Sequence, residues 1–233
     1  MVKGNVLTVR VEEYLEAVLN MIIDGKPVLA ARLAERLELA PPTVAATLRR
    51  MKRDGLILIG PHKNIGLTPA GRKAATTVVR RHRLAECLLA DVLDVPWQDV
   101  HEEACLIEHG LSAMVEEKLY EKLGRPETCP HGNPIPKGID IQAVRGTPLD
   151  TIARGTDIVV ERIAEESARN ADFMKFLADN GIMPGAKFTI KDVTAYAGTI
   201  TICTAEKVVT LGMNTANSIW VSVVPPPSQT GIR

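Results

Sequence analysis

Apolar positions recur with a helical period through the first half of the chain and alternate through the second. Over residues 10–24, Val11, Tyr14, Leu15, Val18, Leu19 and Ile22 fall on one helix face, and Gly25 is placed to end it. Residues 28–39 repeat the pattern with Leu29, Leu33 and Leu37, and Leu39-Ala40-Pro41 breaks it. A third helix is predicted from about Pro42 to Arg53, with Val44, Leu48 and Met51 inward and Gly55 at its end. Proline suits a first helical turn, where its missing N–H is not needed. Two short helices joined by a tight turn make a helix-turn-helix, whose second member reads DNA. Residues 56–59 and 65–67, joined by the turn 60–64, read as a two-stranded hairpin, the wing of a winged helix.

Thr68 and Pro69 suit an N-cap and first helical position, and the helix they begin runs to about Leu93, with Val78, Leu84 and Leu88 recurring. A further helix follows Pro96-Trp97, and another covers residues 112–123, stopped by Gly124. Residues 84–123 carry more apolar surface than three helices hide among themselves, which predicts a homodimer. The stretch 125–138, RPETCPHGNPIPKG, has no helical period and reads as a linker. Beyond Gly155, strands are predicted over 157–163, 187–193, 198–204, 207–211 and 218–224, with a helix near 172–180 and turns at Gly181 and Pro184-Gly185. That pattern is a small SH3-like β-barrel. The tail from Pro225 is expected to be disordered. The expected fold is mainly α with small β parts. A winged helix-turn-helix spans 1–74, a helical metal-binding and dimerisation domain 75–138, and an SH3-like barrel 150–226.

Composition narrows the function. With 45% hydrophobic and 24% charged residues, the 233-residue chain reads as soluble and globular. No run approaches the ~18 apolar residues of a membrane span, and residues 1–10 are too polar for a signal peptide. Four irregularly spaced cysteines are not a disulfide framework. A cytoplasmic protein with reduced thiols is expected, with no membrane partner and no small-molecule substrate. The zero net charge hides an asymmetry: residues 1–83 hold 15 Lys+Arg against 7 Asp+Glu, a net of +8, and the remainder holds 13 against 21, a net of −8. A basic first third fits a nucleic-acid face joined to another module. The exposed side of the third helix offers Thr43, Ala45, Ala46, Thr47, Arg50 and Arg53, where small residues allow close approach and arginines pair with phosphates or guanines. Arg32 and Pro42 complete that set, and Lys63, beside His62 at the wing tip, is placed to touch the DNA backbone.

The candidate chemistry lies in VHEEACLIEH at 100–109. Read as a helix, it sets His101, Cys105, Glu108 and His109 on one stripe. Imidazole, thiolate and carboxylate together suit a divalent transition metal. RRHRLAE adds His82 and Glu86 at i and i+4. Either pair alone fits a solvated helix face, but these two stretches hold three of the five histidines. Glu12, Glu13 and Glu16 read either as solubilising charge near a helix N-terminus or as a source of a metal carboxylate. Cys129 and His131, two apart in CPH, form another usable ligand pair. Cys203 reads as a strand position in a core.

These residues together resemble the diphtheria toxin repressor family of iron- and manganese-dependent repressors, over nearly the whole chain. RRHRLAE, VHEEACLIEH and GNPIP at 132–136 carry the likeness most specifically, with ARLAERL at 31–37, PPTV at 41–44 and RMKRDGL at 50–56. The resemblance implies a metal-activated repressor that binds a pseudo-palindromic operator on double-stranded DNA as a homodimer and controls metal homeostasis genes. It implies two sites per protomer for Mn(II) or Fe(II). The primary site would be Glu13, Cys105, Glu108 and His109. The ancillary site would be His82, Glu86 and His101 with a third-domain ligand near Glu165 or Glu166, or, as in some manganese-type members, Glu86 with Cys129 and His131. Iron-type members have Met at the position of Glu13, manganese-type members usually have Glu at that of Cys105, and Ala45-Ala46 replaces polar side chains on the reading helix. No enzyme activity is expected. The rival readings are a winged-helix thiol redox sensor using Cys105 or Cys129, and a metalloenzyme, for which the chain has no HExxH signature and no phosphate-cradling glycine loop.

Overall fold

Helices α1 (Val9–Ile23), α2 (Ala30–Arg36) and α3 (Pro41–Arg53) and the wing strands β1 (Ile57–Ile59) and β2 (Ile65–Leu67) close around one core. Tyr14, Leu15, Val18, Leu33, Val44, Met51, Ile57 and Ile65 are its centre. Burying each large apolar side chain contributes about 1.5–3 kcal/mol, so the helical phase of these residues fixes how the three helices meet. α2 is shorter than its apolar period suggests, because Glu38 adopts a left-handed φ of 53° that ends the turn. The wing tip is a single 3-10 turn, Pro61–Lys63, with His62 and Lys63 both left-handed at φ 54° and 60°. Asn64 fixes it: its Oδ1 accepts from the Val28 N–H at 2.9 Å, and the Ile65 N–H donates to the Val28 carbonyl at 2.9 Å.

The computed structural model describes residues 7–139 and 144–225, which fall into two units: 7–129 with 134–139, and 130–133 with 144–225. In the first unit α4 (Pro69–Asp91) starts where the Thr68 hydroxyl accepts from the Gly71 N–H at 3.0 Å, a cap that contributes about 1 kcal/mol. α4 runs unbroken through the boundary expected at residues 74 and 75. Its start (Ala75, Val79) belongs to the core of the first three helices. Farther along, Leu84 and Cys87 join Cys129 and Ile135, while Ala85 and Leu89 join Val100 and Ala104. α5 (Val100–Ile107) is followed by one 3-10 turn, Glu108–Gly110, and then by α6 (Ala113–Lys122). Glu116 on α6 accepts from the Nε of Arg80 at 3.0 Å and of Arg81 at 2.9 Å.

The second unit is a six-stranded antiparallel sheet in the order β3-β8-β4-β5-β6-β7. It comprises β3 (Thr147–Pro148), β4 (Asp157–Ile163), β5 (Lys187–Thr194), β6 (Thr199–Cys203), β7 (Val208–Gly212) and β8 (Ile219–Val223), with short helices α7 (Glu165–Ala168), α8 (Ala171–Asp179) and α9 (Met213–Ala216). Ile200 and Ile202, Val209 and Leu211, and Ile219 and Val221 alternate inward as a half-buried sheet requires. β3 has no alternation to read, being two residues ending in proline. Residues 130–133 of the expected linker belong here: the Ile163 N–H donates to the His131 carbonyl, and the Asn133 Nδ2 to the Ile163 carbonyl, each at 2.9 Å. Arg162, buried, donates to Asn133 Oδ1 at 3.1 Å and stacks on Trp220 at 4.1 Å.

Residues 1–6 and 226–233 lie outside the described residues, and with them part of the polar N-terminal stretch and the tail expected to be disordered. Among the described residues no helix is long and apolar enough to cross a membrane.

Candidate metal centre

His82 is the hub of the first unit's polar interior. α4 turns it inward from the same stripe as Glu86, both almost wholly buried. Its Nδ1 lies 2.5 Å from Glu108 Oε2, and its Nε2 lies 3.0 Å from His101 Nδ1 and 3.2 Å from Glu86 Oε1. Cys105 Sγ stands 4.0 Å from His82 Nδ1 and 3.9 Å from His101 Nε2. Burial pushes the Cys105 thiol up, but hydrogen bonds and charge from His101 and His82 outweigh it and hold the thiol below its ordinary value. Glu16 of α1 joins His82 and Glu108, with one ligand atom from each within 4.8 Å of the others.

The stripe expected along residues 100–109 is not one continuous helix. α5 ends at Ile107, and one 3-10 turn carries Glu108, which meets His82, and His109. His109 Nδ1 meets Glu12 Oε2 at 2.7 Å, and its Nε2 meets Glu108 Oε1 at 3.1 Å. Glu13 is half-buried and pairs with Arg10 at 3.5 Å. The reason is helical phase. With Val11, Tyr14, Leu15 and Val18 inward, Glu12 and Glu16 share one flank of α1, and Glu13 falls on the side opposite the core. Glu12 was legible as one of three acidic residues, but nothing in their spacing singled it out.

Cys129 is buried, and its sulfur lies within 4.8 Å of a Glu86 carboxylate oxygen. His131 and Glu165 are buried residues of the second unit, Glu165 at the start of α7, whereas Glu166 is exposed. The unit boundary falls between Cys129 and Pro130, so the CPH pair is divided by it.

The donor set fits a divalent metal. Two carboxylates, a thiol inclined to ionise and two imidazoles crowd one largely buried space. His82 Nε2 and His101 Nδ1 face each other, so one of them must carry a proton or the two must share a cation. Soft sulfur beside imidazole and carboxylate suits Fe(II) or later metals, and the added carboxylates suit Mn(II).

On the DNA side, Val44, Leu48 and Met51 face the core, and the opposite stripe of α3 presents Pro42, Ala46, Arg49 and Arg53, all exposed. Thr43 and Arg50 flank it and are exposed; Ala45 and Thr47 are half-buried. Arg49, central on this stripe, was missing from the sequence-derived set. Arg32 on α2 and Lys63 on the wing are exposed.

Three family models cover most of the chain: iron dependent repressor, N-terminal DNA binding domain, at 6–65; iron dependent repressor, metal binding and dimerisation domain, at 68–137; and the FeoA domain at 147–223. The chain is 39% identical over 225 residues to the iron-dependent repressor IdeR of Mycobacterium leprae (strain TN), covering 91% of this chain and 96% of that one. It is 42% identical over 148 residues to the diphtheria toxin repressor of Corynebacterium diphtheriae, covering 64% of each. Among solved structures, a manganese-dependent transcriptional repressor in complex with manganese superposes with a TM-score of 0.82 at 30% identity, over 92% of this chain and 100% of that one. The IdeR of T. acidophilum gives 0.78 at 27% identity, over 91% and 97%.

Proposed function

The chain belongs to the iron-dependent (diphtheria toxin) repressor family, and on that premise we propose that Glu12 is the residue through which metal occupancy reaches the DNA-reading helices. The protein is a metal-dependent transcriptional repressor that uses Fe(II) or Mn(II), and its partners are DNA and a second copy of itself. The observation that carries the proposal is the Glu12–His109 contact, which joins α1 of the winged helix to the turn after α5 across 97 residues of sequence.

Glu12, Glu108 and His109, with Cys105, would hold one metal ion. His82, Glu86 and His101 would hold a second. When bound, the metal would supply positive charge amid these crowded donors. Glu12 then fixes α1 against the 3-10 turn, and α1 carries the core on which α3 rests. Glu16 offers a further carboxylate on the same flank. The ligands thereby narrow the spread of α1 positions and favour the DNA-competent dimer; a coupling of ~1–3 kcal/mol is ordinary for such a link. Leu93, Leu106, Met114 and Val115 are all well exposed on α5, α6 and the segment after α4. They are the surface we assign to the dimer contact, which sets the spacing of two α3 helices on a pseudo-palindromic operator. Repression would fall on metal homeostasis genes, in the cytoplasm where the DNA lies.

The test is anaerobic retention of fragmented genomic DNA by the purified protein with chelator, Mn(II) or Fe(II), followed by sequencing. Specific fragments retained only with metal are expected. Equal retention with chelator would remove the metal switch.

A further inference from the structure

The first half of α4, one side of α6 and residues 137–139 line a cleft of about 470 Å³, all within the first unit. Small-molecule sites run from about 300 to 1,000 Å³. The lining carries three cations, Lys73, Arg80 and Lys137, against two carboxylates, Glu116 and Glu117, a surplus of one positive charge. Both carboxylates are already matched. Glu116 accepts from the Nε of Arg80 at 3.0 Å and of Arg81 at 2.9 Å, and Glu117 lies 3.7 Å from Arg80 Nη2. Arg80 Nη1 donates to the Pro136 carbonyl at 2.9 Å, so this guanidinium has little left for a ligand.

The lysines differ. Lys73 is exposed, and among the described residues its ammonium has no partner. Lys137 meets Glu127 at 3.5 Å, with both side chains open to water, and such a pair contributes little. The surplus charge thus sits on two ammonium groups and not on a guanidinium fork. A single carboxylate suits that arrangement. A phosphate would favour arginine forks or free backbone N–H groups and would meet two carboxylates in the lining. The rest of the lining is apolar or aromatic. Ile139 is 53% exposed, and the Tyr120 ring lies 4.1 Å from the Arg80 guanidinium, a flat stack against which a planar body packs. Thr76 and Thr77 donate their hydroxyl protons to the Lys73 carbonyl, at 3.0 and 2.9 Å, and offer a ligand no donor.

We propose that this cleft is a small-molecule site, separate from metal and DNA, that takes an aromatic monocarboxylate. Lys73 and Lys137 hold the carboxylate, and the ring lies against Tyr120 and Ile139. The site needs neither metal nor operator, so it stands apart from the repressor reading.

The test is calorimetric titration of the full chain with naphthoate, in chelator, so that no metal ion holds the carboxylate. Saturable binding is expected. Acetate lacks the ring, naphthylmethylamine reverses the charge and inorganic phosphate changes the anion; none should bind measurably. Lys73→Gln and Lys137→Gln change exposed side chains and should leave the fold intact. Each should weaken naphthoate about fivefold, the upper end for a charge pair open to water, and Lys73→Glu should abolish binding. No saturable uptake of naphthoate, equal uptake of the amine or of phosphate, or unchanged affinity in both Gln variants overturns the inference. Any of these leaves metal-dependent retention of operator fragments, and with it the repressor reading, untouched.

Discussion

Single side chains decide how the metal centre talks to the rest of the unit. Glu12→Gln should weaken metal-stimulated operator binding by about 5- to 150-fold, since the loss of one ligand removes a link of ~1–3 kcal/mol. Glu13→Gln should change it less than twofold, because Glu13 faces Arg10 and solvent. Titrating operator with Mn(II) at each variant separates the two, and equal effects would count against the role given to Glu12. The thiols make a second contrast. Burial, with Asp91 and Glu86 nearby, pushes Cys87 up to about 12, whereas Cys105 lies below its ordinary value. In metal-free protein at pH 8, iodoacetamide should therefore label Cys105 long before Cys87, and Mn(II) should slow the Cys105 reaction. Peptide mass mapping reads both. The sign for stability follows from the raised Cys87 value: its contribution is complete below pH 9.0 and is lost as pH rises towards about 12.

At the scale of elements, α4 is the spine of the first unit, and its start is held by a close approach. A Cβ on Gly71 would lie 1.8 Å from the Leu56 carbonyl oxygen, so Gly71→Ala must push α4 away from the wing. A destabilisation of about 2–4 kcal/mol is expected, the range of severe single substitutions, seen as a lower Tm in thermal denaturation. Gly66→Ala, with nothing within 4 Å of its Cβ, is the matched control. α5 and α6 supply the apolar surface assigned to the dimer. Leu106→Glu with Met114→Glu should give a monomer by sedimentation without lowering Tm, because both side chains are about three-quarters exposed; an unchanged dimer would place the contact elsewhere.

Over the whole molecule, charge is divided where function divides it: +8 over residues 1–83 and −8 over the rest. Operator affinity should therefore fall steeply with salt, and Arg53→Ala should flatten the log–log slope by about one. Secondary structure and domain order were legible because they follow from local pattern. The apolar period of α1, the Thr68-Pro69 start of α4 and the alternation in β4 to β8 are each set by neighbours within a few residues. The grouping of His82, Glu86, His101 and Cys105 was legible as well, since His, Cys and Glu on helical stripes are rare in combination. What the sequence could not decide was which ligand meets which. Three acidic residues stand within five positions on α1, and only the packing phase of that helix brings Glu12 to His109 and turns Glu13 outward. The 3-10 turn at Glu108 breaks a stripe that helical spacing treats as continuous, because that turn depends on how α5 packs on α4. Residues 130–133 likewise read as linker, yet their backbone hydrogen bonds lie with β4. Local preference is written in the chain, but contacts between residues far apart in it depend on the relative rotation of whole elements, which only the packed core fixes.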